Sequence, residues 1–137
     1  IAMVRRIFME TFDTLQIKAG IISSADRHGE LIFAQCPENT KNPMVIAAQT
    51  SDSLITVEGV EASFVFYYMS DTAIGVSARS QGTLNVQLIM EAVGGGGHRT
   101  VAGAQLRNMT IDNAKKAVLA AAKNYLAQMR ESEEVKK

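Results

Sequence analysis

Four consecutive glycines, residues 94–97, precede His98 and Arg99 in a chain that has only ten glycines. Ordering a tetraglycine costs a great deal of backbone entropy. The run is therefore a loose linker or a place where something comes very close to the main chain. The linker reading conflicts with the surroundings. A helical pattern runs straight into Gly94, and a small, apolar run follows, whereas flexible linkers join domains and carry Ser or charge. Gly94 itself suits the position after a helix, which favours φ > 0. The other three need another reason. Consecutive glycines present N–H groups with no side chain in the way, which suits a phosphate or a base edge at close range. His98 and Arg99 would add side-chain donors at the mouth.

Two familiar phosphate loops do not fit. A Walker A loop needs a strand before it and Lys-Ser/Thr after its last glycine, and a Rossmann loop needs a third glycine where Arg99 stands. A second stretch points the same way. In AIGVSARS, residues 73–80, Ile74, Val76 and Ala78 alternate with Gly75, Ser77 and Arg79. The first set reads as a core face. The second is small, then small and polar, then a guanidinium, the group that grips phosphate bidentately. On this strand alone, a surface arginine is an equal reading.

The rest of the chain limits the chemistry. Lys plus Arg and Asp plus Glu number 14 each, which argues against coating nucleic acid by bulk charge. Cys36 is the sole cysteine and His28 and His98 are the sole histidines. That excludes a disulfide framework and a thiolate cluster, and no set of ligands for a two-metal site is present. Cys36 reads as a small hydrophobe and Asp26–His28 as a turn between strands. Tyr67 and Tyr68 read as core or interdomain surface. No apolar run is long enough to span a bilayer and no signal peptide is evident, so a reducing, cytoplasmic setting is expected. The chain opens on Ile1, so a piece of a longer protein is expected.

These groups must be positioned by a single domain over residues 1–137, an α/β fold with about five strands in a mixed sheet and about four helices. The spacing predicts a helix over 3–18 with Val4, Ile7, Phe8, Phe12 and Leu15 on one face, ended by Gly20. Strands at GIISSAD and ELIFAQC follow. A helix capped by Asn42 and Pro43 comes next. EASFVFYYMS and TAIGVSARS read as a hairpin. A short helix from Asn85, with Val86, Ile89, Met90 and Val93 on one face, leads into the glycines. AGAQLRNM reads as a last strand. Thr110 caps a long final helix carrying Ile111, Ala114, Val118, Ala121 and Tyr125, whose tail ESEEVKK should fray.

The stretch VSARSQGTLNVQLIMEAVGGGGHRTVAGAQL, residues 76–106, resembles the C-terminal DHH-associated domain of the Asp-His-His phosphoesterase superfamily. There a Ser-x-Arg-Ser strand, a short helix and a Gly-Gly-Gly-Gly-His loop form the signature. With AGIISSA and AAQTSDSLITVEGVEASFVFYY, the similarity extends over roughly residues 4–125. Its wider pattern resembles membrane-anchored bacterial cyclic-di-AMP phosphodiesterases. HRTVAGA, where that branch often has HxxNAA, is closer to the short-oligonucleotide branch.

The resemblance implies that a preceding Asp-His-His domain binds two metal ions, usually manganese, and that this domain needs no cofactor of its own. It also implies that this domain holds a cyclic dinucleotide or short oligonucleotide and that the parent is anchored at the membrane. A homodimer is a further expectation. By position, Ser77, Arg79 and Ser80 match the strand motif, and Gly94, Gly95, Gly96, Gly97 and His98 match the loop, with Arg99 beside it. A non-catalytic nucleic-acid-binding module and a ligand-free regulatory or dimerisation domain are the rival readings.

Overall fold

A computed structural model describes residues 10–136. In chain order the elements are α1 (Phe12–Ser23), β1 (Asp26–His28), β2 (Leu31–Gln35), α2 (Pro43–Leu54), β3 (Ala62–Ser70), β4 (Ala73–Ser80), α3 (Val86–Ala92), β5 (Gly96–Gly97), β6 (Val101–Arg107) and α4 (Ile111–Lys136). The strands form one six-stranded sheet in the order β1-β2-β3-β4-β6-β5. Every pairing is antiparallel except β2 with β3. That parallel pair needs a crossover, and α2 supplies it.

The alternation of AIGVSARS orients the sheet. Ile74, Val76 and Ala78 join Phe33, Phe64, Phe66, Ala102, Ala104 and Leu106 in a core closed by Val86, Ile89 and Met90 of α3 and by Ile111, Ala114, Val118, Ala122 and Tyr125 of α4. On the opposite face Ile32, Ala34, Cys36, Val65 and Tyr67 pack against Ile21 of α1 and Ile46, Ala47 and Leu54 of α2. Gly75 also lies on that face because Tyr67 covers it. A Cβ there would meet the Tyr67 ring at 2.1 Å. Both faces of β4 are thus covered along most of its length. β6 differs: Ala102, Ala104 and Leu106 are buried, while Val101, Gln105 and Arg107 are exposed.

Several local expectations need correction. The first helix does not stop at Gly20. Thr11 caps it, its hydroxyl accepting from the Thr14 N–H, and the helix runs from Phe12 to Ser23 so that Ile21 reaches the core. The segment GIIS is therefore helical, and the first strand starts at Asp26. Phe12 and Leu15, expected on a buried stripe, are 71% and 52% exposed; Val4, Ile7 and Phe8 lie outside the described residues. Asp26–His28 is a strand, not a turn, and the His28 ring packs edge-on against Phe33, 5.2 Å away. Asn42 precedes α2 in the left-handed region, at φ 49°, and its side chain makes no capping bond. The final helix extends through the tail to Lys136.

Candidate functional site

The loop begins where α3 ends. The Asn85 carboxamide oxygen accepts from the N–H groups of Gln87 and Leu88, at 3.1 and 3.4 Å, which fixes the start of this short helix. At the other end Gly94 has φ +89°. Its N–H donates to the Glu91 carbonyl, and the Gly95 N–H donates to the Met90 carbonyl at 2.7 Å. This is the paired closure of a helix by a glycine after its cap. Gly96 and Gly97 then run along β6 as an edge strand, and the His98 N–H donates to the Val101 carbonyl to close the turn.

The glycines serve different purposes. A Cβ on Gly95 would lie 2.2 Å from the Gly103 carbonyl oxygen, and one on Gly97 would lie 2.5 Å from Ala102 Cα. Gly97 also has φ +140°. These two point toward the α3 side, where the chain packs too closely for any side chain. Gly96 points the other way. A Cβ there meets nothing within 4 Å, and its backbone has no positive φ. The fold accounts for Gly94, Gly95 and Gly97, but it does not require glycine at position 96.

Register brings the two sequence motifs together. Ser77 pairs with Gly103, and Gly103 pairs with Gly96. Paired residues share a face, so Ser77, Gly103 and Gly96 form one row across three strands on the side that α2 leaves uncovered beyond β4. Gly103 is fixed by sterics, since a Cβ there would lie 2.9 Å from the Val76 carbonyl. The result is a shelf almost free of side chains. The His98–Val101 bond makes that pair hydrogen-bonded, so the next pair, Gly97 with Ala102, is of the alternate kind. The Gly97 N–H consequently faces outward from the sheet edge.

Arg79 stands at the side of this shelf, paired with Val101 in register. Its Nε donates to Asp52 Oδ1 at 2.7 Å, and one amino group donates to Ser77 Oγ at 3.1 Å and to the Ala78 carbonyl at 2.9 Å. Three of the five N–H groups of the guanidinium are thereby engaged. Among the described residues no side-chain nitrogen is both buried and unpartnered, so the second amino group reaches solvent. The sequence suggests a free fork for phosphate; the structure leaves one amino group of it available.

Ser80 and Arg99 act within the scaffold. Ser80 Oγ donates to the Arg99 carbonyl and accepts from the Gly82 N–H. The Arg99 guanidinium donates to the carbonyls of Gly82 and Thr83, at 2.7 and 3.4 Å. Together they staple residues 81–83 to the turn that carries His98. His98 is exposed, and its imidazole bonds to none of the described residues. Sequence reasoning missed Gly103 and Asp52. The first could have been suspected from the small-residue run after His98. The second carries no local signal, because its partner lies 27 positions away.

The shelf is open, and a concavity of about 940 Å³ lies elsewhere, between α1 and α2. Among the described residues no group of three or more His, Cys, Asp or Glu could hold a metal ion. Among the described residues no helix is long and apolar enough to cross a membrane.

A mixed sheet carrying a glycine loop beside a Ser-x-Arg-Ser strand defines the class. The chain belongs to the DHHA1 domain family, which it matches over residues 28–128. It is 41% identical over 125 residues to the cyclic-di-AMP phosphodiesterase GdpP of Geobacillus thermodenitrificans, covering 90% of this chain and 19% of that protein. It is 34% identical over 101 residues to the bifunctional oligoribonuclease and PAP phosphatase NrnA of Thermus thermophilus, covering 72% of this chain and 30% of that one. The chain thus spans less than a third of the length of these relatives. An exopolyphosphatase-related protein from Bacteroides fragilis shares the fold, with a TM-score of 0.77 at 18% identity, over 92% of this chain and 39% of that one.

Proposed function

We propose that this domain holds the substrate of a phosphodiesterase that opens cyclic di-AMP to the linear dinucleotide, with the catalytic metals carried by a preceding Asp-His-His domain. The observation that carries the reading is Gly96, a glycine that the fold does not need, in line with Gly103 and Ser77 beside the solvent-facing amino group of Arg79. A purine or sugar can lie flat on a surface with no side chains. A phosphodiester oxygen within reach would take a charge-assisted bond from Arg79, the stronger kind of hydrogen bond, and the Gly97 N–H and the His98 ring offer further donors at the rim. The shelf is open, so a second domain closing over it would complete the enclosure.

The metals implied by the family, usually manganese, would activate a water for attack on phosphorus. The described residues offer no ligand set for them, so this domain's part is to bind and orient. GdpP is named a cyclic-di-AMP phosphodiesterase and covers 90% of the chain at 41% identity, which supports that substrate. A second reading, short oligonucleotides, is favoured by the similarity to NrnA and by Val101 and Gly103 in HRTVAGA. A parent anchored at the membrane with this domain on the cytoplasmic side belongs to the first reading.

The test uses the full-length protein with manganese and compares kcat/KM for cyclic di-AMP, the linear dinucleotide and short RNA. Cyclic di-AMP is expected to lead by at least about tenfold, equivalent to roughly 1.4 kcal/mol in the transition state. A lead for short RNA would replace the first reading with the second. Turnover by this domain alone would overturn the division of labour.

A further inference from the structure

We infer that Asp52, on α2, is a positioning residue for this shelf: its carboxylate holds the Arg79 guanidinium in the one orientation that leaves a single amino group for the ligand. The inference rests on the reading that the shelf binds a cyclic dinucleotide. Its own basis is the way α2 is seated. Ser51 and Ser63 are fully buried. Their hydroxyl oxygens lie 2.9 Å apart, and Ser63 Oγ donates to the Ser51 carbonyl, also at 2.9 Å. Ser51 Oγ further lies 3.4 Å from the Ser77 carbonyl oxygen. Small side chains let the helix backbone approach the sheet, and each hydroxyl finds a partner. This fixes the rotation of α2 about its axis. The next residue, Asp52, then meets Arg79 Nε at 2.7 Å.

Stability does not account for that pair. Asp52 is 63% exposed on its side chain and Arg79 14%, and ion pairs with an exposed partner contribute little to folding. Orientation does account for it. A free arginine side chain has many rotamers to lose on binding, and clamping it beforehand removes that cost from the binding step. The clamp reaches the ligand row itself, since the same guanidinium also bonds Ser77 Oγ.

Opposite charge could act the other way, with Asp52 competing against a phosphate for Arg79. The two roles have opposite signs, so substitution separates them. In the full-length protein with cyclic di-AMP as the probe, Asp52→Ala is expected to raise KM about tenfold, and Asp52→Asn, which keeps the Oδ1 acceptor, to recover most of that. Asp52→Ala added to Arg79→Ala should raise KM no further than Arg79→Ala does alone, because Asp52 acts through Arg79. Urea unfolding of each variant reports folding, and Asp52→Ser, which removes both carboxylate oxygens, carries the test with the same expected rise in KM should the Ala variant lose its fold. A KM for Asp52→Ala at or below the parent's, or an effect additive with Arg79→Ala, overturns the inference while leaving the shelf in place. Arg79→Ala with the parent's KM overturns both.

Discussion

The two faces of the sheet are built for different ends. One is roofed across its width by α3 and α4, with phenylalanines and branched aliphatics interlocked beneath. The other is roofed by α1 and α2 over β2 to β4, and among the described residues no helix covers it over β6 and β5. The glycine loop samples both. Gly95 and Gly97 turn toward the roofed side, where the backbone of β6 leaves no room. Gly96 turns toward the bare side, where nothing restricts it. The contrast separates glycines that serve packing from one that packing does not explain. A ligand on the proposed shelf would accordingly meet backbone more than side chains.

The largest effects lie on the roofed face. Phe64 is fully buried between β3 and the helices. Phe64→Ala is expected to destabilise the domain by about 3–5 kcal/mol, the usual loss for a truncated buried aromatic. Urea unfolding measures it, and a loss below about 1 kcal/mol would mean that this face is not the principal core. Gly95→Ala comes next. Its Cβ would sit 2.2 Å from the Gly103 carbonyl, and forcing the edge strand away is expected to cost about 1–3 kcal/mol. A variant as stable as the parent would remove close packing as the reason for that glycine.

Much of the roofed face was legible in the sequence, because periodicity reports burial. Ile74, Val76 and Ala78, and likewise Val86, Ile89 and Met90, occupy the core their spacing implies. The short helix from Asn85, the hairpin and the glycine closure of α3 were legible for the same local reasons. The errors occurred where distant contacts decide. Gly20 reads as a helix end, yet the demand for Ile21 in the core carries the helix past it. The shelf was half legible. Ser77, Arg79 and the glycines were visible as residue types, but their alignment through Gly103 depends on the register of β6 between β4 and β5. The engagement of Arg79 by Asp52 depends on how α2 sits, which no local pattern encodes.

A smaller effect tests the roof on the second face. Burial pushes the Cys36 thiol up from its ordinary value of 9.0 to about 11. Burial, with Cys36 nearby, also raises the Tyr67 hydroxyl. A raised folded-state pKa means that the folded chain holds its proton more tightly than the unfolded one. The associated stability is present below pH 9 and is lost as pH rises toward about 11. The urea midpoint is expected to fall across that window. A thiol reagent at pH 8 should leave Cys36 unlabelled until denaturant is added, since the thiolate is the reactive form. Rapid labelling of the native domain would place Cys36 at a surface and break the account of α2 as its cover.

The most direct test of the shelf is Gly96→Val in the full-length protein, with unfolding and cyclic di-AMP kinetics measured on the same preparation. A valine suits an extended edge position, and its Cβ meets nothing within 4 Å. The account predicts an unfolding free energy within about 0.5 kcal/mol of the parent. It predicts a KM for cyclic di-AMP raised by at least about tenfold, a loss of roughly 1.4 kcal/mol in binding. A stable variant with the parent's KM and kcat would contradict it, because the bare face at Gly96 would then hold no ligand.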